Sequence, residues 1–204
     1  NSNDLFNGDI TLTSTNTGGI NLGWTGGTGT PTLASGKTIF IGGAGFSQGY
    51  LSLSGFTQLG SAAINLDMDG ADFYVRNVPA PSSFGGDLTV KATNIRIEGG
   101  VFNGITTFTK TGSVDNHNSQ QQNIFNAALN INQQGTGYFM LGYNSNDLFN
   151  GNITVTSTNT GNIHLGWTSG TGTPTMAAGN TIFIGGAGYN AGHLYFGGFT
   201  QLGN

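Results

Sequence analysis

The sequence predicts an all-β protein whose fold is a parallel β-helix, also called a β-solenoid. Three observations lead to this prediction: a long segment occurs twice, short runs of alternating apolar and polar residues recur, and clusters of Gly, Asn, Ser and Thr separate the runs. A fixed period indicates stacked repeats, alternation indicates strands with one buried face, and the clusters indicate turns. Helix is disfavoured because Gly, Asn and Thr are poor helix formers.

The long repeat is visible directly in the chain. The run Asn-Ser-Asn-Asp-Leu-Phe-Asn-Gly begins at Asn1 and again at Asn144, and the two copies then stay aligned without a gap to the end. Of the first 60 positions, 45 are identical in the second copy. The predicted organisation is one continuous solenoid with a first long repeat over 1–143 (motif-rich over 1–60, more divergent over 61–143) and the start of a second over 144–204.

A shorter unit lies inside the long one. Residues 125–131 align with 149–155, which gives a 24-residue recurrence. Two or three short strands in a unit of this length suit one coil of a parallel β-helix, whose strands pair with the coils above and below. About six units fill the 143-residue period, and the less similar ones begin near Phe6, Ala34, Phe56, Phe84 and Phe102.

The expected strands follow from the alternating runs. Apolar side chains are expected to line the shaft while Thr, Asn and Ser face water. Corner Asn and Gly tolerate positive φ, and stacked Asn residues are expected to form ladders. An antiparallel sandwich or barrel is the alternative, but the 24-residue recurrence and the scarcity of two-residue hairpin signals favour the β-helix. The runs are 10–12, 20–22, 39–41, 51–53, 64–68, 73–75, 88–90, 95–97, 129–131, 139–141, 153–155, 163–165, 182–184 and 194–196.

Composition excludes several classes of partner. Charged residues make up 7% of the chain, the net charge is −4, and there are five Lys and Arg residues. Such a chain has no basic surface for phosphates, so we predict no nucleic-acid partner and no attraction to anionic lipid. No apolar run approaches the length of a membrane-spanning helix, so we also predict no membrane insertion. Because Cys is absent, disulfides and cysteine metal sites are excluded.

One segment resembles a known class of repeats. Residues 149–166, Phe-Asn-Gly-Asn-Ile-Thr-Val-Thr-Ser-Thr-Asn-Thr-Gly-Asn-Ile-His-Leu-Gly, resemble the repeats of giant secreted surface proteins of Gram-negative bacteria, which are broadly similar to filamentous-haemagglutinin-type adhesins. The resemblance covers nearly the whole chain and is weakest over 61–122. It implies an extracellular, cell-surface parallel β-helix used for attachment or spreading. These motifs are structural, so no binding residue is carried over.

The two ends of the chain carry the same residues as its interior. A solenoid needs atypical polar coils at its termini, because its last coil otherwise exposes strand edges and core side chains. The chain begins at Asn1 with the same residues that follow Asn144 in the interior. Near its other end, Gly203 is equivalent to Gly60, after which the first copy continues with Ser61-Ala-Ala-Ile. We therefore expect end-to-end contact with adjoining repeats of the same chain or with identical subunits. The predicted function is a non-enzymatic structural shaft that mediates attachment.

The densest acidic cluster is Asp67-Met-Asp69-Gly-Ala-Asp72. Several close carboxylates are what a hard cation such as calcium requires. The cluster departs from the EF-hand pattern, because Ala71 stands where a third ligand belongs and no Glu ends the loop. Asp67 and Asp69 also fit the outward positions of a strand, so no metal site is predicted.

A second motif concerns glycines. The run Gly42-Gly-Ala-Gly45 and its copy at Gly185 have some likeness to a calcium-binding nonapeptide or a phosphate loop. They lack the Asp, the Lys and the following helix that those sites need. We interpret them as tight corners and predict no cofactor.

Charged residues of the middle segment are the candidates for a polysaccharide-cleaving site. Arg96 and Glu98 are alternate residues of one strand and are expected to form a solvated ion pair. Paired carboxylates alone are weak evidence for glycoside chemistry, and we predict no enzyme activity. His164 and His193 have no counterpart in the first copy and are interpreted as exposed substitutions. The candidates are Asp67, Asp69, Asp72, Arg76, Asp87, Lys91, Arg96, Glu98, Lys110 and Asp115, with His117 nearby.

Thr-X-Thr runs offer an ice-binding alternative. Residues 11–15 (Thr-Leu-Thr-Ser-Thr) and 28–32 (Thr-Gly-Thr-Pro-Thr), with their copies, put hydroxyls on one strand face. A flat grid of Thr stacked over several coils can order water and bind ice. Thr is also a good strand residue in general. Because the grid is not sustained over 84–132, the plain strand interpretation is preferred.

Aromatic residues offer a glycan-binding alternative. Trp24 and Trp167 follow Leu-Gly in the two copies, and Tyr143 follows Leu-Gly in the preceding coil. Exposed aromatic rings stack on sugar rings, so Trp24, Tyr143 and Trp167 are candidate glycan contacts. The same rings also suit covering the shaft at a corner, because large aromatics bury much apolar area. This structural role is the preferred interpretation.

Overall fold

The computed structural model describes residues 2–116 and 121–203, and all regular structure in these ranges is β strand. His117, named above beside the catalytic candidates, lies outside the described residues. In chain order the strands are β1 (Leu5–Phe6), β2 (Ile10–Ser14), β3 (Gly19–Leu22), β4 (Thr32–Leu33), β5 (Ile39–Phe46), β6 (Tyr50–Ser54), β7 (Thr57–Gln58), β8 (Ile64–Arg76), β9 (Ser82–Phe84), β10 (Leu88–Ile97), β11 (Gly100–Phe102), β12 (Thr106–Lys110), β13 (Ile124–Phe125), β14 (Leu129–Gln133), β15 (Phe139–Leu141), β16 (Leu148–Phe149), β17 (Ile153–Ser157), β18 (Ile163–Leu165), β19 (Thr175–Met176), β20 (Ile182–Tyr189), β21 (Leu194–Tyr195) and β22 (Thr200–Gln201).

The strands form parallel stacks, which confirms the predicted β-helix. The first sheet has the order β1-β4-β7-β9-β11-β13-β16-β19-β22, and the second has the order β2-β5-β8-β10-β12-β14-β17-β20. The third side of the shaft is formed by β3 and β6, which stack on the C-terminal half of β8, and further along by β15-β18-β21. Each pairing joins a strand to the equivalent strand of the next coil, so one coil cannot bury its core alone.

Six coils fill one long repeat, as predicted. We number the coils by their strand in the first sheet, so that coils one to nine begin at β1, β4, β7, β9, β11, β13, β16, β19 and β22. Two of the predicted unit starts are wrong: Leu33 and Gln58 hold the equivalent positions, not Ala34 and Phe56. Phe56 faces inward too, two residues earlier, and alternation alone does not distinguish these positions. From coil one to coil seven, the equivalent residues are Phe6, Leu33, Gln58, Phe84, Phe102, Phe125 and Phe149.

Phenylalanines of the first sheet stack along the shaft. The ring centroids of Phe84 and Phe102 are 5.2 Å apart, those of Phe102 and Phe125 are 4.8 Å apart, and those of Phe125 and Phe149 are 5.4 Å apart, with nearly parallel planes. All four side chains are buried. The recurring Phe of the short unit therefore builds a continuous aromatic column in the core.

Asparagines form the predicted ladder at the next corner. Asn126 Nδ2 donates to Asn103 Oδ1 at 2.8 Å, and Asn150 Nδ2 donates to Asn126 Oδ1 at 2.9 Å. Each residue directly follows a stacked Phe, so the Phe-Asn pair places one ring inside and one amide outside in coils five, six and seven. The ladder pairs amide donors with amide acceptors along the axis.

Turn Asp and Asn residues also tie one coil to the next. Asp87 Oδ1 accepts the backbone N–H of Ile105 at 2.8 Å, and Asn152 Oδ1 accepts that of Thr181 at 2.9 Å. Turn backbones leave N–H groups that strand pairing does not use, and a short side-chain oxygen satisfies them. This bonding accounts for the abundance of Asn at the turns.

The interior corner between the second and third sheets is polar. Lys110, Gln133 and Ser157 share one register, and all three are buried. Lys110 Nζ donates to Gly112 O at 2.9 Å, Gln133 Nε2 donates to Gly137 O, and Ser157 Oγ donates to Asn159 O at 2.9 Å. Each side chain thus satisfies a carbonyl of its own turn. Burial lowers the pKa of Lys110 to about 8.

The glycine run in β5 is a bulge, and its interpretation as a tight corner is wrong. Leu12 pairs with Ile41, whereas Ser14 pairs with Phe46, so β5 carries extra residues between two paired positions. Gly45 has a φ of +77°, which glycine adopts at low cost. Strand pairing resumes after the bulge, and β20 repeats the arrangement in the second copy.

Candidate functional site

The outer face of the third sheet gathers the aromatic residues. Met140 at the end of the first long repeat and His164 and Tyr195 of the second copy occupy one outward register across coils six to eight. In the first copy, Asn21 and Ser52 hold the positions of His164 and Tyr195. Trp24 and Trp167 lie in the turns that follow β3 and β18.

Five rings from coils six to eight form one cluster, which we call the third-sheet aromatic cluster. Its members are Tyr138, His164, Trp167, His193 and Tyr195. The centroids of His164 and Tyr195 are 4.4 Å apart with planes inclined by 9°. Trp167 lies 4.6 Å from His164 and 6.4 Å from Tyr138, and His193 lies 5.6 Å from Tyr195. Rings from three coils therefore meet on one surface.

The position of Trp167 depends on the glycine before it. Gly166 has a φ of +101°, and a Cβ atom there would lie 2.0 Å from the carbonyl oxygen of Gly197 in the next coil. A residue with a side chain would clash at this position, so the chain can turn here only with glycine. The turn directs the indole back over His164, and Trp167 Nε1 donates to Ser169 Oγ.

The interpretation of His164 as an exposed substitution is wrong. Its side chain is only 1% exposed, although it occupies an outward strand position. Tyr138, Trp167 and Tyr195 surround its ring and exclude water. The sequence does not reveal this, because those rings come from three different coils. His193 is exposed, as predicted.

The two tryptophans differ in exposure. Trp24 is 63% exposed, whereas Trp167 is half-buried. Tyr138 of coil six stacks on Trp167, and Trp24 lies in coil one, the first described coil. Tyr143 is half-buried, and its carbonyl accepts the N–H of Gly172 at 3.3 Å. Tyr138 was not among the predicted site residues; the available signal was the short unit, which aligns it with the residue before β18.

The surroundings of Trp24 carry charge. Trp24, Tyr50, Ser52, Tyr74 and Arg76 line a shallow depression of the first copy. The Arg76 guanidinium carbon lies 5.2 Å from the centroid of the Tyr74 ring, a cation–π contact. Burial raises the pKa of Tyr74 well above its ordinary value, and its hydrogen bond to a neighbouring carboxylate adds to the shift.

The predicted Arg96–Glu98 pair is formed, but it is not fully solvated. Arg96 Nε donates to Glu98 Oε1 at 2.8 Å, and Arg76 Nη1 lies 3.5 Å from Glu98 Oε2. The Glu98 side chain is only 12% exposed. This carboxylate is therefore engaged by two guanidinium groups. Such an arrangement holds the surface of the sheet together and leaves no oxygen oriented for acid–base chemistry.

The carboxylates of the acidic cluster bind two different side chains, Lys91 and Tyr74. Lys91 Nζ lies 3.0 Å from Asp69 Oδ2 and 3.7 Å from Asp67 Oδ1. Asp72 Oδ2 accepts a hydrogen bond from the Tyr74 hydroxyl at 2.6 Å. Over residues 2–116 and 121–203, no group of three or more His, Cys, Asp or Glu side chains is arranged to hold a metal ion.

Thr hydroxyls recur on the outer face of the second sheet, but Lys91, Asn130 and Asn132 interrupt them, so a grid of Thr is not sustained over 84–132. Thr107 and Thr109 face outward in coil five, beside outward Asn130 and Asn132 of coil six. Asn130 Nδ2 donates to Thr107 Oγ1 at 3.1 Å, and Asn132 Nδ2 donates to Thr109 Oγ1 at 3.2 Å. The hydroxyls of this face are therefore bonded to neighbouring amides. Because the coils differ in length, the sequence does not show which of these Thr and Asn residues become neighbours.

Within the part of the chain that the structure describes, no helix is long and apolar enough to span a membrane. The chain matches no family model, no curated protein and no solved structure.

Proposed function

We propose that this chain is a segment of the structural shaft of a long repetitive extracellular surface protein, which mediates attachment without enzyme activity. Its partners along the axis are adjoining repeats of the same chain or identical subunits. The resemblance of residues 149–166 to repeats of secreted bacterial surface proteins supports the extracellular and adhesive parts of this proposal. The shaft itself is supported by a comparison of the two copies.

Coil seven is an internal copy of coil one. Ile153 and Ile163 are fully buried, because coil six lies against coil seven. Their first-copy counterparts, Ile10 and Ile20, are half-buried. The same residues are thus covered wherever a preceding coil is present.

The opposite end gives the same result. Leu53 is buried under coil three and Gln58 under coil four, whereas their counterparts Phe196 and Gln201 are exposed. An apolar end face of this kind is stabilised by a further coil, because exposed strand edges and large apolar patches favour association. Equivalent residues of the two copies are buried where a neighbouring coil is present and more exposed where none is, and this observation carries the proposal.

The geometry of the continuation follows from the internal interface. β1 and β2 are edge strands of the first and second sheets, and their copies β16 and β17 pair with β13 and β14. A coil equivalent to coil six would therefore dock on coil one with the same register. Every sheet would then run on through the junction.

This proposal is tested by self-association of the chain. Phe196→Lys places a charge on the exposed end face, where a docked coil would bury it without a partner, so association should weaken at least tenfold. Sedimentation measured over a range of concentrations reports the association.

Phe183→Lys is the matched control, because Phe183 is also about half exposed but faces outward on the second sheet. Association should be unchanged in this variant. A chain that stays monomeric at high concentration, or two variants that behave alike, would contradict the shaft.

Contact with glycans is the second candidate function. The observation that favours it is the exposed indole of Trp24 beside a surface with further aromatic rings. Trp and Tyr rings combine a large apolar face with a polar group, and they are enriched at interfaces. Thermal hysteresis of the purified chain without any saccharide binding would instead support ice binding by the hydroxyl face of the second sheet.

A further inference from the structure

The differences between the two copies are concentrated on one side of the shaft. The strands β3 and β6 of the third sheet contain nine residues, and six of them differ from the second copy. The strands of the first and second sheets in the same coils are longer in total, yet only three of their positions differ. The third sheet has therefore changed far more than the other two.

Packing accounts for part of this contrast, because a Cβ atom at Gly19 would lie 2.1 Å from the Tyr50 ring, and Asn162 and His193 replace both residues together. The inward residues Ile20, Leu22 and Leu51 are retained in the second copy, as the shared core requires. The outward residues Thr11 and Phe40 of the second sheet are retained as well, although they face solvent. The outer face of the third sheet has therefore diverged between the copies, whereas the outward positions of the second sheet have been retained.

The exchanges in the second copy add rings around a retained tryptophan. His164 replaces Asn21, His193 replaces Tyr50, and Tyr195 replaces Ser52, whereas Trp167 matches Trp24. The result is the third-sheet aromatic cluster, in which Tyr195 is 41% exposed and His193 is exposed. Trp167, Thr168 and Tyr195 line one depression at this place.

Charge decides which ligand class fits. Residues 121–203 contain one Asp, Glu, Lys or Arg residue, Asp147, and its side chain is fully buried. The exposed carboxylate of Asp115 lies beside the cluster, where its Oδ1 accepts the N–H of Tyr138 at 3.0 Å. The cluster thus has a neighbouring anion and no Lys or Arg from residues 121–203, which disfavours acidic saccharides and nucleic acid. Flat rings bind the apolar C–H face of a pyranose, and the hydroxyls of Tyr195 and Thr168 can bond to sugar hydroxyls.

We propose that the outer face of the third sheet is the ligand-binding face of this solenoid, and that the third-sheet aromatic cluster binds neutral carbohydrate chains. This inference rests on the proposed glycan contact and adds its location, its residues and its ligand class. The first-copy surface, which includes Arg76, binds such chains more weakly because it has fewer rings.

The test is a titration of the 204-residue chain with neutral hexasaccharides of glucose and of mannose, and with hexagalacturonate as the acidic probe. Trp24→Phe leaves Trp167 as the single indole fluorophore, because the chain has two Trp residues. The expected result is a saturable change in Trp167 fluorescence with a neutral saccharide, at least tenfold stronger binding than for hexagalacturonate, and a tenfold or greater loss in Tyr195→Ser.

Tyr195→Ser introduces the residue that the first copy already holds at this position, so the fold accommodates it. A thermal melt of each variant separates loss of binding from loss of folding. Phe183→Ser is the control, because it removes an exposed ring from the second sheet and should leave binding unchanged.

Each other outcome overturns the inference. If neutral saccharides bind equally well to Tyr195→Ser, or if hexagalacturonate binds preferentially, the inference about this cluster is wrong. The proposed glycan contact would then have to lie elsewhere on the chain. Absence of binding by all probes at millimolar concentration would remove both, and would leave the shaft proposal untouched.

Discussion

Individual buried polar residues show how this shaft tolerates charge in its interior. Asp147 lies in the column of inward residues that precede the first-sheet strands, and its side chain is fully buried. It accepts hydrogen bonds from Ser145 Oγ at 2.7 Å, from Asn123 N at 2.8 Å and from Gly142 N at 2.9 Å. These bonds favour the carboxylate, but burial outweighs them and raises the pKa of Asp147 to about 6.

The raised pKa gives a prediction for stability against pH. The folded protein holds the Asp147 proton more tightly than the unfolded chain, whose value is 3.8, so this contribution to stability is fully present below that pH and is lost as pH rises through about 6. The free energy of unfolding should fall by about 3 kcal/mol from this group across that window. Urea titrations at several pH values between 4 and 7 measure it.

Asp147→Asn should remove this slope, because the amide does not titrate. Asp4 is the first-copy counterpart and is exposed, so Asp4→Asn is the matched control and should keep the slope of the parent chain. A slope that persists unchanged in Asp147→Asn would contradict the assignment.

Among the secondary-structure elements, the short strands of the first sheet owe their order to stacking rather than to length. Each contains two or three residues, too few to be stable alone. The rings of Phe102, Phe125 and Phe149 pack face to face between adjacent coils, and the Asn ladder bonds the same coils on the outside. Side chains on both faces thus fix strands that their backbone bonds alone would hold weakly.

Removing one ring from the column should destabilise the shaft. Phe125→Ala leaves a cavity between two stacked rings and should cost roughly 3–5 kcal/mol. Phe125→Leu should cost clearly less, since Leu33 holds the equivalent position in coil two and is fully buried there. Chemical denaturation of both variants measures the difference. Equal costs for the two substitutions would contradict this prediction, because they would mean that the stacked ring, and not the volume it fills, determines the stability.

At the scale of the whole chain, the second copy is expected to be the first copy translated along the axis by six coils. Thr11 and Thr154 face outward at the same register, six coils apart. With strands spaced at about 4.8 Å, the two positions are expected to lie roughly 29 Å apart. The same distance is expected between any two equivalent positions of the two copies.

Spin labels can measure this advance, because the chain has no Cys and labels attach only where Cys is introduced. The pair Thr11→Cys and Thr154→Cys should give a distance of about 29 Å by pulsed electron resonance. The pair Phe40→Cys and Phe183→Cys, also one repeat apart, should give the same distance. Two clearly different distances would show that the copies are not related by simple translation.

Much of the fold was predictable because its signals are local. Alternating apolar residues specify strands, Gly and Asn specify corners, and the constant offset between the two copies specifies equal coils in both. The Asn ladder could be predicted for the same reason, since identical corners in stacked coils must meet.

Only the tertiary structure determined which side chains converge. The burial of His164, the stacking of Tyr138 on Trp167, and the polar corner of Lys110 and Gln133 depend on contacts between coils. Coil lengths vary, since the chain from Phe149 to its stacked neighbour Met176 is much longer than that from Phe84 to Phe102. Sequence spacing therefore does not predict which outward residues become neighbours. Packing of successive coils sets that register, because each strand must pair with the one before it whatever the length of the intervening turn.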